Sequence, residues 1–238
     1  MMMIAQNFQR VTDQISAAAH AAGRDPAEVR LVVVTKGHPL EAVLEAIAAG
    51  AHHLGENYVE EAVEKIQSCQ AGPDWHMIGH IQSRKAQAVC ELFQCIHSLD
   101  SLKLARRLDR FAAELGRELP VLLECNVSGE ESKFGWPAWQ IEAWPTLLPD
   151  LAQLLDLPNL RVCGLMTMAP FLPDPEQTRP CFRRLRCLKA FLSREFPSAA
   201  LQELSMGMSA DYEVAIQEGA TLVRIGTAIM GSRPAAHT

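Results

Sequence analysis

The chain has 238 residues, of which 48% are hydrophobic and 21% charged, and its net charge is −6 at pH 7. This balance is typical of a globular protein and excludes a disordered or fibrous chain. The negative charge gives no overall attraction to nucleic acid or anionic lipid, so we expect neither a nucleic-acid nor a membrane partner. Seven cysteines without a C-x-x-C pair favour reduced thiols over a disulfide framework, which predicts a cytoplasmic protein.

The N-terminal segment, residues 4–21, predicts an amphipathic helix. Its apolar residues recur at helical spacing, as Ile4, Phe8, Val11 and Ile15. Polar residues interrupt the segment throughout, so it lacks the apolar centre of a secretory signal. The sequence also contains no run of about 18 apolar residues, the length that a membrane-spanning helix needs.

After this helix, short apolar and β-branched runs alternate with longer helical patterns, an order typical of a parallel sheet built from βα units. Strands are predicted at residues 31–35, 52–54, 75–78, 95–98, 121–126, 160–165, 202–205 and 221–225. Helices are predicted at residues 40–49, 57–68, 83–92, 101–116, 137–154, 175–195 and 210–218.

Eight predicted strands favour a sheet that closes on itself. The fold class is therefore α/β, a single (β/α)8 TIM-type barrel with an extra N-terminal helix, and the chain length fits one such barrel. No linker or repeat divides the sequence, so we expect one domain over residues 1–238. A dinucleotide motif G-x-G-x-x-G is absent, which disfavours an open doubly wound sheet.

Lys36 is the first residue whose position indicates chemistry. It follows the apolar run LVVVT, at the end of a predicted barrel strand. Functional groups of such barrels lie at the C-terminal ends of the strands, and burial there lowers the pKa of a lysine enough to make it a nucleophile toward an aldehyde. A solvated loop lysine is the alternative that the position alone leaves open.

The C-terminal segment around residues 205–227 combines small residues, hydroxyls and a strand that ends in RIGT. Backbone amides at Gly226 and Thr227, together with the hydroxyls of Ser205 and Ser209, would suit a phosphate. Ordinary turn and helix-cap usage, with Ser209 as an N-cap, remains the alternative.

The ordered motifs VVVTKGHP, LGENYVEEAVEK, WHMIGHIQSRKAQ, NVSGEESKFG, GLMTMAP and LSMGMSADYEVAIQEGATLVRIGTAIMG resemble those of pyridoxal phosphate homeostasis proteins of the YggS/PROSC type. The resemblance runs from about residue 30 to the C-terminal end. It implies a fold similar to the N-terminal barrel of alanine racemase, with pyridoxal 5'-phosphate (PLP) as the cofactor.

The resemblance also implies roles for individual residues. Lys36 would hold PLP as a Schiff base, and Arg224 would face the pyridine nitrogen. The remaining residues that it assigns to the cofactor are Gly226, Thr227, Ser205 and Ser209 for the phosphate, with Ser209 favoured of the two serines, and Asn57 and Met166 for the ring pocket.

The implied function is intracellular PLP homeostasis; we expect a monomeric or weakly associating protein that binds the cofactor and delivers it to apo-enzymes. An arginine at the pyridine nitrogen disfavours ring protonation and so weakens the ring as an electron sink. The sequence ends at Thr238, and its two tyrosines, Tyr58 and Tyr212, fall in predicted barrel helices. We therefore expect no robust catalysis; a slow amino acid racemase is the alternative, and an unrelated Schiff-base aldolase barrel is the third hypothesis.

Two further groups of residues need an interpretation. Lys133 lies in a predicted active-face loop, where it either takes part in PLP transfer or is simply solvated. His76 and His80 are spaced four residues apart, but no carboxylate or thiolate accompanies the histidines in a recognisable pattern, so no metal site is predicted.

Overall fold

A computed structural model describes residues 2–69 and 72–233 of the chain. Eight parallel strands close into a barrel, because β4 pairs with β5 at the point where the sheet order would otherwise end. The strands are β1 Arg30–Val34, β2 His53–Glu56, β3 Asp74–Met77, β4 Cys95–Leu99, β5 Leu119–Asn126, β6 Trp136–Pro137, β7 Leu160–Met166, β8 Glu203–Ser205 and β9 Leu222–Ile225. The two-residue β6 pairs only with β5, outside the barrel. The predicted TIM-type barrel is confirmed.

The helices surround this barrel. They are α1 Met2–Ala21, α2 Leu40–Ala48, α3 Val59–Ser68, α4 Ala86–Leu92, α5 Leu102–Glu114, α6 Leu148–Leu155, α7 Arg179–Glu195, α8 Tyr212–Gln217 and α9 Thr227–Met230. Short 3-10 helices lie at Pro26–Glu28, Ser83–Lys85, Ile141–Leu147 and Pro175–Thr178. In these described residues no helix has the length and apolarity to cross a membrane.

The predicted helix at 137–154 is wrong in its first half. Residues 136–137 form β6, the next helical turns are 3-10, and α6 begins only at Leu148. Pro145 lies inside the 3-10 segment and Pro149 in the first turn of α6. Proline lacks a backbone N–H and disfavours helical geometry in the residue before it, so this segment does not form one continuous α-helix.

The extra helix α1 is fixed to the outside of the last βα units. Val11 and Ala19 on its inner face are fully buried. The Asn7 side chain donates to the carbonyl of Ile229 (3.1 Å), and Arg24 donates to the carbonyls of Ile216 and Ala220 (2.8 Å each). The N-terminal and C-terminal parts of the barrel are thereby held together.

Inside the barrel, a small apolar cluster fills one side of the closed sheet. Its buried members are Val32, Leu122, Met166 and Leu222. A much larger apolar layer lies between the strands and the outer helices. The barrel is therefore a packed core rather than a pore, and a cavity lies beyond the C-terminal ends of its strands.

Candidate functional site

A cavity of about 540 Å³ lies at the C-terminal ends of the barrel strands. This volume is in the usual range of small-molecule sites. Its wall consists of Val34, Lys36, Asn57, Ile78, Met168, Pro170, Phe171, Leu172, Thr178, Met208, Ser209, Ala210, Asp211, Arg224, Gly226, Thr227 and Arg233. Six of the eight residues that the sequence predicts as cofactor ligands are in this wall, namely Lys36, Asn57, Ser209, Arg224, Gly226 and Thr227.

Lys36 enters the cavity from the turn that follows β1. Burial, and then the positive charges of Arg233 and Arg224, lower the pKa of its amine below the ordinary lysine value, while Glu56 and Glu61 oppose the shift. A lowered pKa increases the fraction of neutral, nucleophilic amine at a given pH. The solvated loop lysine that position alone left open does not describe this half-buried residue.

Arg224 projects from β9 and is only 4% exposed. Its guanidinium donates to the hydroxyl of Ser205 and to the carbonyl of Thr167 (2.9 Å). Burial lowers the pKa of Arg224 to about 10, against the attraction of Asp211 and Glu124. Arg224 is therefore a cation at neutral pH, held in one orientation at the inner end of the cavity.

Small and hydroxyl-bearing residues form the wall beside Arg224. Ser209, Gly226 and Thr227 come together there from the loops after β8 and β9. The Ser209 hydroxyl accepts from the amide of Ala228 in the first turn of α9 (3.3 Å). Asp211, and not Ser209, is the N-cap of α8, so the alternative interpretation of Ser209 as the cap of that helix is wrong.

The structure does not place Met166 and Ser205 in the cavity wall. Both are fully buried inside the barrel, Met166 in the apolar cluster and Ser205 as the partner of Arg224. Met168, two residues further along the GLMTMAP motif, is in the wall instead. Direct cofactor contacts by Met166 and Ser205 remain predictions.

Sequence reasoning missed Arg233 and Phe171. Arg233 lies against the Lys36 turn, where a Cβ built on Gly37 would be 2.7 Å from its Cδ atom. Gly37 also has a φ of +71°, a conformation that favours glycine. The sequence signal for Arg233 is the GSR segment at residues 231–233, shortly after Gly226 and Thr227. Phe171 is 86% exposed in the wall of the cavity, and nothing in its local sequence marks it.

A row of imidazoles connects Arg224 with the opposite end of the barrel. His97 contacts the Ser205 hydroxyl (2.9 Å) and His76 (2.8 Å), and His76 contacts His53 (3.2 Å). Burial lowers the pKa of His76 to about 3 and that of His97 well below the ordinary value, so both rings are neutral at pH 7. Because Arg224 must donate to Ser205, the hydroxyl proton can be directed to His97, and each imidazole then donates to the next.

The same row includes a thiol that the sequence pattern did not reveal. Ligand atoms of His76, Cys95 and His97 lie within 4.8 Å of one another. Cys95 comes from β4, next to His76 of β3 in register, and burial raises the pKa of its thiol to about 12. The sequence expectation of no metal site stays a prediction. Both ring nitrogens of His76 and His97 already take part in hydrogen bonds.

Lys133 is not a freely solvated loop residue. Its amine donates to the carbonyl of Met168 (2.9 Å) and forms an ion pair with Glu130, and only 17% of its side chain is exposed. It thereby connects the loop after β5 to the loop that carries Met168 and Phe171. Lys133 itself is not among the residues of the cavity wall.

The fold and the site define a closed βα barrel with a lysine and a buried arginine at the C-terminal ends of its strands. The family model for the N-terminal domain of alanine racemase matches residues 6–234. Alanine racemase from Clostridium difficile has the same fold, with a TM-score of 0.72 over 97% of this chain and 58% of that chain, at 15% identity.

Relatives at higher identity cover the whole chain. A pyridoxal phosphate homeostasis protein from Pseudomonas aeruginosa is 46% identical, over 98% of this chain and 97% of its own, and one from Escherichia coli K12 is 42% identical, over 97% of each. The PipY protein of Synechococcus elongatus PCC7942, solved with PLP bound, has a TM-score of 0.83 and 37% identity, over 96% of this chain and 100% of its own. The chain therefore belongs to the pyridoxal phosphate homeostasis protein family, as its motifs predict.

Proposed function

We propose that the chain binds PLP in this cavity as a Schiff base on Lys36 and serves intracellular PLP homeostasis by delivering the cofactor to apo-enzymes. The observation that carries the proposal is that Lys36 and Arg224 share one cavity with Ser209, Gly226 and Thr227. These groups match the three parts of the cofactor: an amine for the aldehyde, a guanidinium for the pyridine nitrogen, and hydroxyl and backbone donors for the phosphate. The names of the full-length relatives support the same assignment.

Formation of the Schiff base requires only Lys36 and PLP. The neutral amine of Lys36 adds to the aldehyde carbon of PLP, and the loss of one water leaves a C=N bond. Water would reverse this condensation and return the free aldehyde and the Lys36 amine. The lysine amine of an acceptor enzyme would instead replace Lys36 in the C=N bond, which also frees Lys36. Burial and the neighbouring arginines favour the neutral amine on which the first step depends.

Two features support carriage over catalysis. The Arg224 cation disfavours protonation of the pyridine nitrogen and so weakens carbanion chemistry. Neither tyrosine is in the cavity wall: Tyr58 is 62% exposed beside it, and the Tyr212 hydroxyl donates to Gln14 (2.9 Å). A tyrosine base for racemisation is therefore absent from the described wall.

Absorption spectroscopy tests the cofactor assignment. With added PLP, the protein is expected to show a Schiff-base band that borohydride reduction fixes covalently, whereas Lys36→Ala lacks the band and the adduct. Lys189→Ala is a matched control, because burial also lowers the pKa of Lys189, which lies on α7 and is not part of the cavity wall. A band that persists in Lys36→Ala would overturn the Lys36 assignment.

Delivery is tested separately from binding. The loaded protein is mixed with an apo-enzyme in the presence of an enzyme that hydrolyses free PLP, and recovery of apo-enzyme activity is followed. Protected recovery supports direct delivery, and recovery at the rate given by free PLP contradicts it. Measurement of Cα deuterium exchange with a panel of amino acids tests the racemase alternative.

Other parts of the proposal concern the whole chain. Residues 1–238 are proposed to form a single PLP-binding domain that is monomeric and cytoplasmic. Sedimentation of the purified protein tests the monomer, and fractionation of cells tests the location.

A further inference from the structure

Three charged side chains of the LGENYVEEAVEK motif contact one another outside the cavity wall. Glu56 ends β2, whereas Glu61 and Lys65 lie one turn apart on α3. The Lys65 amine is 2.6 Å from a carboxylate oxygen of Glu56 and 2.6 Å from one of Glu61. These three residues, called the ion cluster below, lie directly behind the turn that carries Lys36.

The ion cluster is buried to a degree that is unusual for charged residues. Lys65 is 4% exposed and Glu56 is fully buried, while the side chain of Glu61 is 27% exposed. Buried ion pairs are seldom net stabilisers, because the cost of removing the charges from water offsets their attraction. Fold stability alone is therefore a weak explanation for this arrangement.

The ion cluster contacts the backbone on both sides of Lys36. The Lys65 amine donates its third hydrogen bond to the carbonyl of Thr35 (2.8 Å), and the Thr35 hydroxyl donates to Glu56 (2.6 Å). On the other side, the amide of Gly37 donates to Glu61. The peptide groups before and after Lys36 are thus both held by side chains of β2 and α3.

We propose that Glu56, Glu61 and Lys65 are positioning residues for Lys36, and that their ion cluster fixes the direction in which the Lys36 side chain enters the cavity. The inference rests on the proposed function, since it assigns the ion cluster a part in forming the Schiff base. The ion cluster touches the peptide groups that flank Lys36, and it acts on the cofactor only through that lysine.

The ion cluster also sets part of the electrostatic environment of Lys36. The Glu56 and Glu61 carboxylates raise the pKa of Lys36, whereas Arg224 from β9 and Arg233 after α9 lower it. Lys65 balances one of the two carboxylates, and burial and Lys65 lower the pKa of the neighbouring His38. The ion cluster with both carboxylates ionised therefore has a net charge of −1 behind a cavity whose wall contains two arginines.

Glu61→Gln is the first test, with Glu60→Gln as its matched control. Glu60 is the preceding residue of α3, is exposed and pairs with Lys85 instead of the ion cluster. In Glu61→Gln, the Gly37 amide should exchange its hydrogen faster without PLP, and the pH midpoint of Schiff-base formation should fall, because a charge that raises the Lys36 pKa is gone. At a pH above both midpoints, where the Lys36 amine is neutral in variant and wild type alike, formation of the reducible band should slow by about tenfold or more, the scale expected for a misplaced reactive group.

Lys65→Met and the double variant Glu56→Gln/Lys65→Met form the second test. The single variant leaves Glu56 buried without its cation and is expected to be unstable, while the double variant removes both charges and retains the fold. The double variant should bind PLP with slower Schiff-base formation and show fast Gly37 exchange.

The outcomes separate this inference from the proposed function. If the wild-type protein forms the Lys36 band, and Glu61→Gln and the folded double variant form it at the wild-type rate with unchanged Gly37 exchange, the ion cluster does not position Lys36. If the wild-type protein itself forms no band, the proposed function fails. The Gly37 exchange measured without PLP then still tests whether the ion cluster holds the peptide groups beside Lys36.

Discussion

At the scale of single residues, Glu124 is the acid whose surroundings predict a measurable pH effect. It lies on β5, is 3% exposed, and its Oε2 atom has no hydrogen-bond partner. Burial, with a contribution from the charge of Asp100, raises the pKa of Glu124 from the ordinary 4.5 to about 7, although Arg224 opposes the shift. Between these two values the folded protein binds a proton that the unfolded chain releases.

Stability should therefore fall as the pH rises through this window. The pKa difference corresponds to up to about 3 kcal/mol of unfolding free energy, fully present below pH 4.5 and lost above pH 7. In Glu124→Gln this dependence should disappear, so that the variant gains stability relative to the wild type from pH 4.5 to 8. Urea unfolding across this range measures it, with exposed Glu118→Gln as the control; parallel curves for wild type and Glu124→Gln would contradict the expectation.

A second residue-scale prediction concerns Ser205, which connects Arg224 with His97. Ser205→Ala removes the acceptor of one guanidinium N–H in a buried site, an expected cost of about 1 to 3 kcal/mol. The less fixed Arg224 should shift the absorption maximum of bound PLP and weaken its binding. Ser98→Ala is the control, since Ser98 is equally buried but donates to Gly79; an identical spectral change in both variants would show a general packing effect instead.

The site residues that the sequence predicts are those fixed by their distance from a strand end. Lys36 follows β1 by two residues, and Gly226 and Thr227 follow β9 directly, so a correct strand assignment places them. Met168 and Arg233 depend on the path of loops that contain Pro170 or follow α9, and no periodic pattern describes such paths.

At the scale of elements, Lys133 connects the loop after β5 to the loop after β7. Lys133→Ala removes the hydrogen bond to the Met168 carbonyl. One such bond contributes about 1 kcal/mol, so PLP should dissociate about fivefold faster when the loop with Phe171 is released. Stopped-flow transfer of PLP to an apo-enzyme measures the dissociation rate, with the exposed Lys103→Ala as the control. An unchanged rate would show that the hydrogen bond from Lys133 to Met168 does not limit PLP release.

The elements themselves were predicted unevenly. The predicted positions of all eight barrel strands match the structure to within two residues at each end, because short runs with apolar residues stand between the longer helical patterns. Residues 141–147 were predicted as α-helix but form a 3-10 helix, since their apolar spacing resembles that of an α-helix while Pro145 prevents its hydrogen bonding. The histidine row was not predictable, because its members are brought together only by the register of β2, β3 and β4.

At the scale of the whole molecule, binding of PLP should stabilise the fold. At a free PLP concentration one hundred times the Kd, the expected gain is about 2.7 kcal/mol. For a domain of this size the gain corresponds to a rise in Tm of roughly 5 to 10 °C. Calorimetry should show this rise for the wild type and a much smaller one for Lys36→Ala; equal rises would mean that the lysine contributes little to binding.

The cavity wall comes entirely from the C-terminal ends of the strands and the loops beyond them, while Val32, Leu122, Met166 and Leu222 pack the barrel interior. A cofactor bound there enters and leaves through the same face. Under the proposed delivery function, a protein that supplies PLP and a protein that receives it would compete for one approach and would have to alternate. Exchange between them should follow ping-pong kinetics, in which an excess of the supplying or of the receiving protein slows transfer by occupying the site that the other needs.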